Sequence, residues 1–169
     1  MSDKLTALEF LKIEAIPAME RMAKSGFAYY VFPIASECLE IMGAFYDDKE
    51  FSDHGESTAR AKRALKKCFK NIRGGRYPKN QKLVFENLRC GFAHMMRPGA
   101  EVAVGSLASG DTEDMHWKKM KDGKTIFIAE CFIGDLAKAV DNLTNAVAKK
   151  KDGIYLDKAT EVYLDRDVT

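Results

Sequence analysis

The sequence predicts a mainly α protein: a bundle of four to five helices with a small antiparallel β-hairpin inserted between the fourth and fifth long helices. Three observations point there. Apolar residues recur every three to four positions through most of the chain, the period of helices that bury one face. That period breaks over residues 100–130, where β-branched runs flank Asp122-Gly123, a hairpin signal. Strands and helices do not alternate in βαβ fashion, which argues against a parallel nucleotide-binding sheet.

The first helix is expected over Leu5 to Lys24, with Leu8, Leu11, Ala15, Ala18, Met19 and Met22 at helical spacing, Pro17 as an internal kink and Ser25-Gly26 as the stop. Phe27 to Tyr46 is apolar almost all round, so it reads as a central helix, kinked at Pro33. Residues 47–57 are polar and read as a loop. Ser57 to Ile72 is the clearest amphipathic helix: Ala61, Leu65, Cys68, Phe69 and Ile72 fall within about a 100° arc. Gly74-Gly75 ends it, and Pro78 opens a fourth helix that runs to about Met96, with Arg97-Pro98-Gly99 as its stop. Glu101 to Leu107, Met115 to Met120 and Lys124 to Glu130 have strand character. Asp135 is expected to cap a fifth helix that ends near Lys150, and a short C-terminal helix is expected around Lys158 to Leu164.

With 169 residues and no linker or repeat, residues 1–169 read as one domain, with 100–130 as a β insertion. A mean hydropathy of −0.29, no long apolar run and no secretory signal predict a cytoplasmic protein that does not enter a membrane. Cys38, Cys68, Cys90 and Cys131 are far apart and lack metal-ligand spacing, so they read as small hydrophobes and no metal is expected. GxGxxG, P-loop, GxSxG and HExxH patterns are all missing, and no cofactor is expected.

The net charge of +2 hides an uneven distribution. Asp47, Asp48, Glu50, Asp53 and Glu56 form an acidic patch, whereas Ser57 to Phe85 holds ten Lys and Arg and no acid. Arg60, Arg63, Lys67 and Lys70 align on one side of the third helix. Without intrahelical acids their repulsion must be offset either by the 47–56 loop or by a polyanion such as RNA. Of the histidines, His54 reads as a solvated loop residue and His116 as an exposed strand residue beside Trp117.

His94 lies in LRCGFAHMMRPG, Leu88 to Gly99, with Arg89 before it and four residues between. This Arg-x4-His spacing, late in a helix of an all-α segment, resembles the signature of the HEPN superfamily. The resemblance implies a bundle of four or five helices, a homodimer with the motif at its interface, and metal-independent RNA cleavage in a stress, toxin or defence setting. By that resemblance His94 is the proton-transfer residue and Arg89 the phosphate clamp; the charge distribution, separately, offers Arg60, Arg63, Lys67, Lys70 and Arg97 as RNA-binding cations. The residue types suit the chemistry: imidazole titrates near ambient pH, and guanidinium stays cationic with a planar fork. Cys90 departs from the family pattern, which often has Asn directly after the Arg. That departure favours an alternative, a non-catalytic dimerisation or nucleotide-sensing module. An interaction protein unrelated to RNA is the third reading.

Five residues at ~100° each set Arg89 and His94 about 140° apart on an ideal helix. They meet if the Arg wraps round, if the helix distorts near Gly91, or if a second chain completes the site. Asn87, Cys90, His94 and Arg97 share a less apolar side that suits a symmetric contact. A structural reading stands beside all of this: Arg89 paired with Glu86, or with a carboxylate such as Glu37 or Glu40 of the second helix, and His94 held near a helix C-terminus.

Overall fold

The structure, a computed structural model, describes residues 4–53, 55–95 and 97–165; His54 and the side chains of Arg89, Ala93 and His94 lie outside that description. The chain starts as strand β1 (Lys4–Thr6) and enters α1, three joined stretches: Ala7–Glu9, a π-helical Phe10–Ala15, and Ile16–Lys24. Thr6 starts the helix through a reciprocal capping box. Its Oγ1 accepts the Glu9 N–H at 3.3 Å, and the Glu9 carboxylate accepts the Thr6 N–H at 2.8 Å. Pro17, the second residue after the widened π stretch, has no N–H to bond back to the preceding turn.

A single 3-10 turn, Ala28–Tyr30, leads into α2 (Val31–Ala44). Pro33 falls in the first turn of α2, where its missing N–H has no intrahelical partner to lose, so it does not interrupt the helix. As the composition implied, α2 is central. Phe32 is fully buried and stacks between Phe92 (5.7 Å between ring centroids) and Phe132 (5.8 Å), from two other helices.

Next comes α3 (Ser57–Lys67). It crosses α2 so closely that a Cβ at Gly43 would lie 1.9 Å from the Arg60 carbonyl oxygen. The obstacle is backbone, and no side-chain rotation relieves it. Gly43→Ala is therefore expected to cost about 3 kcal/mol, the upper end for overpacking, read as a lower denaturant midpoint. A loss under about 0.5 kcal/mol would show that the two helices can part freely.

Two tight turns, Ile72–Gly75 and Arg76–Lys79, precede α4, which runs as Gln81–Leu83, a π-helical Val84–Cys90 and Gly91–Met95. The chain then returns across α4. The Asn87 carbonyl accepts the Gly99 N–H at 2.8 Å, and the Asn87 side chain bonds both the backbone N–H and the carboxylate of Glu101. Gly91 allows this approach, since a Cβ there would lie 2.7 Å from the Arg97 carbonyl oxygen.

Strand β2 (Val102–Gly105) pairs with β3 (Thr125–Ile128), which passes directly into α5 (Ala129–Ala148). The pair is parallel, against the expected antiparallel sheet. Residues 106–124 supply the long crossover that parallel pairing needs. The Asp122-Gly123 turn does form as expected, and its two arms meet in antiparallel fashion: the Ile126 carbonyl accepts the Trp117 N–H at 2.8 Å, the Lys118 carbonyl accepts the Ile126 N–H at 3.0 Å, and Lys119 bridges to Thr125. The antiparallel sheet lies elsewhere: β1 pairs with β4 (Val162–Asp165), closed by a Lys4–Asp165 ion pair at 3.1 Å. The expected C-terminal helix is instead one turn, Leu156–Ala159, followed by this strand, in keeping with the strand preference of Val162 and Tyr163. Among the described residues no helix is long and apolar enough to cross a membrane.

Candidate functional site

Arg89 and His94 both lie on α4, and the helix that carries them is distorted. Arg89 sits in the π-helical stretch Val84–Cys90, and His94 sits in the α-helical Gly91–Met95 that follows. A π turn closes on i+5 and holds more residues than an α turn; since the π stretch ends at Cys90, it narrows the ideal ~140° separation of the two positions only slightly. The distortion lies just before Gly91 and goes together with the returning chain that captures the Asn87 carbonyl. That return also covers part of the less apolar side of α4: Asn87, expected on an open face, is buried.

Two clefts open beside α4. The first, about 520 Å³, lies at its first turn and is lined by Arg76, Lys79, Lys82 and Lys119, with Trp117 in its wall. Its one acid, Glu101, is engaged by Asn87, while Lys82 pairs loosely with Glu86 at 4.0 Å. The second, about 430 Å³, lies at the last turn and is lined by Gly91, Met95, Arg97 and Lys124. Lys124 also pairs with Asp122 at 3.0 Å. Lys119 and Lys124 both come from the Asp122-Gly123 turn region, so the insertion reaches both ends of the helix. Met95, the last residue of the same helix, is exposed; Tyr29 packs edge-on to Phe92 of that helix at 5.0 Å, and its neighbours Phe27 and Tyr30 are about half exposed.

The five cations expected to meet a polyanion divide. Arg60 is a correction: it is 4% exposed and wholly engaged inside the protein. It donates to both Asp47 oxygens, at 3.0 and 3.2 Å, and to the carbonyls of Lys49, Glu50 and Phe51. Arg63 donates to the same carboxylate at 2.8 Å and is only half-exposed. The 47–56 loop, not an external polyanion, thus offsets these two charges. Lys67, Lys70 and Arg97 are exposed.

A third cation joins Asp47. Lys158, buried, donates to Asp47 Oδ1 at 3.0 Å and to the carbonyls of Ala44, Asp47 and Lys49. Burial alone would raise the Asp47 carboxyl, but the bonds from Arg60 and Lys158 outweigh it and hold it below the ordinary range.

A second buried cluster was not legible in the sequence. Asp135 is no helix cap. It lies inside α5, fully buried, and accepts from Arg73 Nε at 2.8 Å and from Tyr77 Oη at 2.8 Å, with His116 Nε2 3.4 Å away. His116, expected to be exposed, is buried. Its Nδ1 accepts the Ile128 N–H at 3.0 Å, which leaves the ring proton on Nε2, facing Tyr77 and Asp135. Arg73 (φ 50°) and Trp117 (φ 71°) hold left-handed backbone beside this cluster, and its bonds offset that strain. Burial lowers the His116 imidazole despite the pull of Asp135, whereas Asp135 itself stays low because its three donors outweigh burial.

The sign of the pH dependence follows. As pH falls below about 6.5, the unfolded chain takes up the His116 proton before the folded one does, so stability drops. The Asp135 contribution persists to lower pH and is lost only as pH falls through its depressed value. The His116→Gln protein is expected to show a flatter stability curve between about pH 7 and pH 5, measured by urea unfolding. An unchanged slope would place the acid sensitivity in another group.

Near the motif, Cys90 is half-buried. Burial pushes the Cys38 and Cys68 thiols up to about 12, which makes them inert fillers of the core. The chain matches no protein-family model, no curated protein and no solved structure.

Proposed function

We propose that this is a HEPN-like, homodimeric protein that binds RNA and cuts it without a metal through Arg89 and His94. The observation that carries the reading is the setting of α4. The helix that bears both residues runs between two clefts, one with four cations in its lining and one with two, and the insertion contributes a lysine to each. A phosphodiester strand lying along such a helix would pass the motif with positive charge before and after it. The widened π turn at Arg89 slightly favours convergence of the pair.

In the proposed reaction the ribose 2′-oxygen attacks the adjacent phosphorus and gives up its proton. The P–O5′ bond breaks, and the leaving 5′-oxygen takes a proton. His94 transfers protons in this sequence, and Arg89 balances the added negative charge of the phosphorane. The exposed Met95 on α4, and the exposed Phe27 and Tyr30 on either side of the Tyr29 that packs on α4, are apolar groups a second copy could cover. Cys90 favours the second reading, a binding-only module on the same bundle.

The test is single-stranded RNA incubated with the protein in excess EDTA. Products ending in 2′,3′-cyclic phosphate and 5′-hydroxyl, lost in Arg89→Ala and His94→Ala, support the nuclease. Salt-dependent binding without cleavage assigns the binding-only module, and neither binding nor cleavage ends both readings.

A further inference from the structure

The C-terminal ends of α3 and α5 meet at a third cleft, about 480 Å³, which shares no residue with the two beside α4. Its walls are fixed to one another, because Asn142 Nδ2 on α5 donates to the Cys68 carbonyl at the end of α3 at 2.9 Å. Four exposed lysines line it: Lys67 and Lys70 from one side, Lys149 and Lys151 from the other. Unlike Arg60 and Arg63, none of the four joins an ion pair among the described residues.

Lysines at helix C-termini often do no more than offset the helix dipoles. Here the balance goes further. Two helix ends carry about half a negative charge each, and Asp152 adds one, so the four ammonium groups leave the cleft with roughly two positive charges in excess. The rest of the lining narrows the ligand. Asn71 and Asn145 offer amides that both donate and accept, and Tyr46 offers a half-buried ring with Lys67 Nζ 6.0 Å from its centroid. A purely inorganic or sulfated polyanion would use the lysines and leave the amides and ring idle. A single RNA strand uses all three: phosphates on lysine, base edges on asparagine, a base against tyrosine.

We propose that this cleft is an exosite that holds a segment of single-stranded RNA away from Arg89 and His94. It extends the RNA-binding reading, yet its test separates the two. The probe is a fluorescent 2′-O-methyl RNA oligomer, which cannot be cut, read by anisotropy over a series of salt concentrations. Lys67→Glu/Lys149→Glu is expected to weaken binding about ten-fold or more. It should also make the log–log salt slope shallower by about 1.4, the change expected when two phosphates of a single strand are no longer neutralised. Lys12→Glu/Lys24→Glu on α1 makes the same change in net charge and is expected to leave both within about two-fold. Asn71→Ala/Asn145→Ala should weaken the RNA but not inorganic tripolyphosphate.

Equal effects from the two lysine pairs would overturn the exosite. Asparagine variants that leave RNA unaffected would overturn the assignment to RNA. If wild-type protein never cuts RNA while the groove variant still loses the oligomer, the nuclease reading falls and the exosite stands.

Discussion

RNA cleavage by the His94→Ala protein is expected to fall by about 10²–10⁴-fold, the usual contribution of a positioned acid–base group. In the proposed reaction, removing the imidazole takes away the proton carrier while leaving Arg76, Lys79, Lys119 and Arg97 in the cleft linings available to an RNA strand. The loss should therefore fall in kcat, with KM little changed. Arg89→Ala is expected to act as severely, because the guanidinium meets charge that exists fully only in the transition state. Arg89→Lys keeps a positive charge but not the planar fork, and should fall between wild type and Arg89→Ala. Unfolding midpoints equal to wild type would tie these losses to chemistry rather than to folding. Cleavage that survives His94→Ala undiminished, in protein freed of contaminating nuclease, would remove the motif from the reaction.

Where one stretch of chain sufficed to determine a feature, the sequence disclosed it. The all-apolar run around Phe32 had to be central, and the period of Ala61, Leu65 and Cys68 had to face a core. The capping box at Thr6 and Glu9 was also present as local text, Thr-x-x-Glu, yet the apolar period beginning at Leu5 obscured the short strand before it. What sequence did not disclose depends on partners brought together from afar. Asp135 has the residue type of a cap, and only Arg73 and Tyr77, 62 and 58 positions earlier, explain why it is buried. Arg60 looked like one more solvated cation until Asp47 and the loop carbonyls closed over it. The candidate site divides in the same way. The spacing of Arg89 and His94 is legible at a glance, whereas the clefts beside them exist only once Lys119 and Lys124 fold back from a crossover that no local pattern identifies as parallel.

Asp47→Ala is expected to lower stability by about 3–5 kcal/mol. The carboxylate serves three cations, and two of them, Arg60 and Lys158, are buried nearly as deeply as Asp47 itself. Truncation does not merely delete favourable bonds; it strands two charges that water cannot reach. The backbone carbonyls of Ala44, Lys49, Glu50 and Phe51 remain as acceptors, which keeps the cost below that of a bare buried charge. Asp47→Asn retains the shape and part of the bonding, so it should cost less than Ala. For a chain of this length the Ala variant should melt roughly 6–20 °C lower. Added salt should restore little of this, since the cluster is shielded from ions. The carboxyl lies below its ordinary range when folded, so its contribution is complete above about pH 4 and is lost as pH falls through the folded value. The wild-type and variant stability curves should therefore converge in acid. A variant that unfolds within about 1 kcal/mol of wild type at neutral pH would mean that the loop over Arg60 opens readily, and Arg60 would then return to the cations available to RNA.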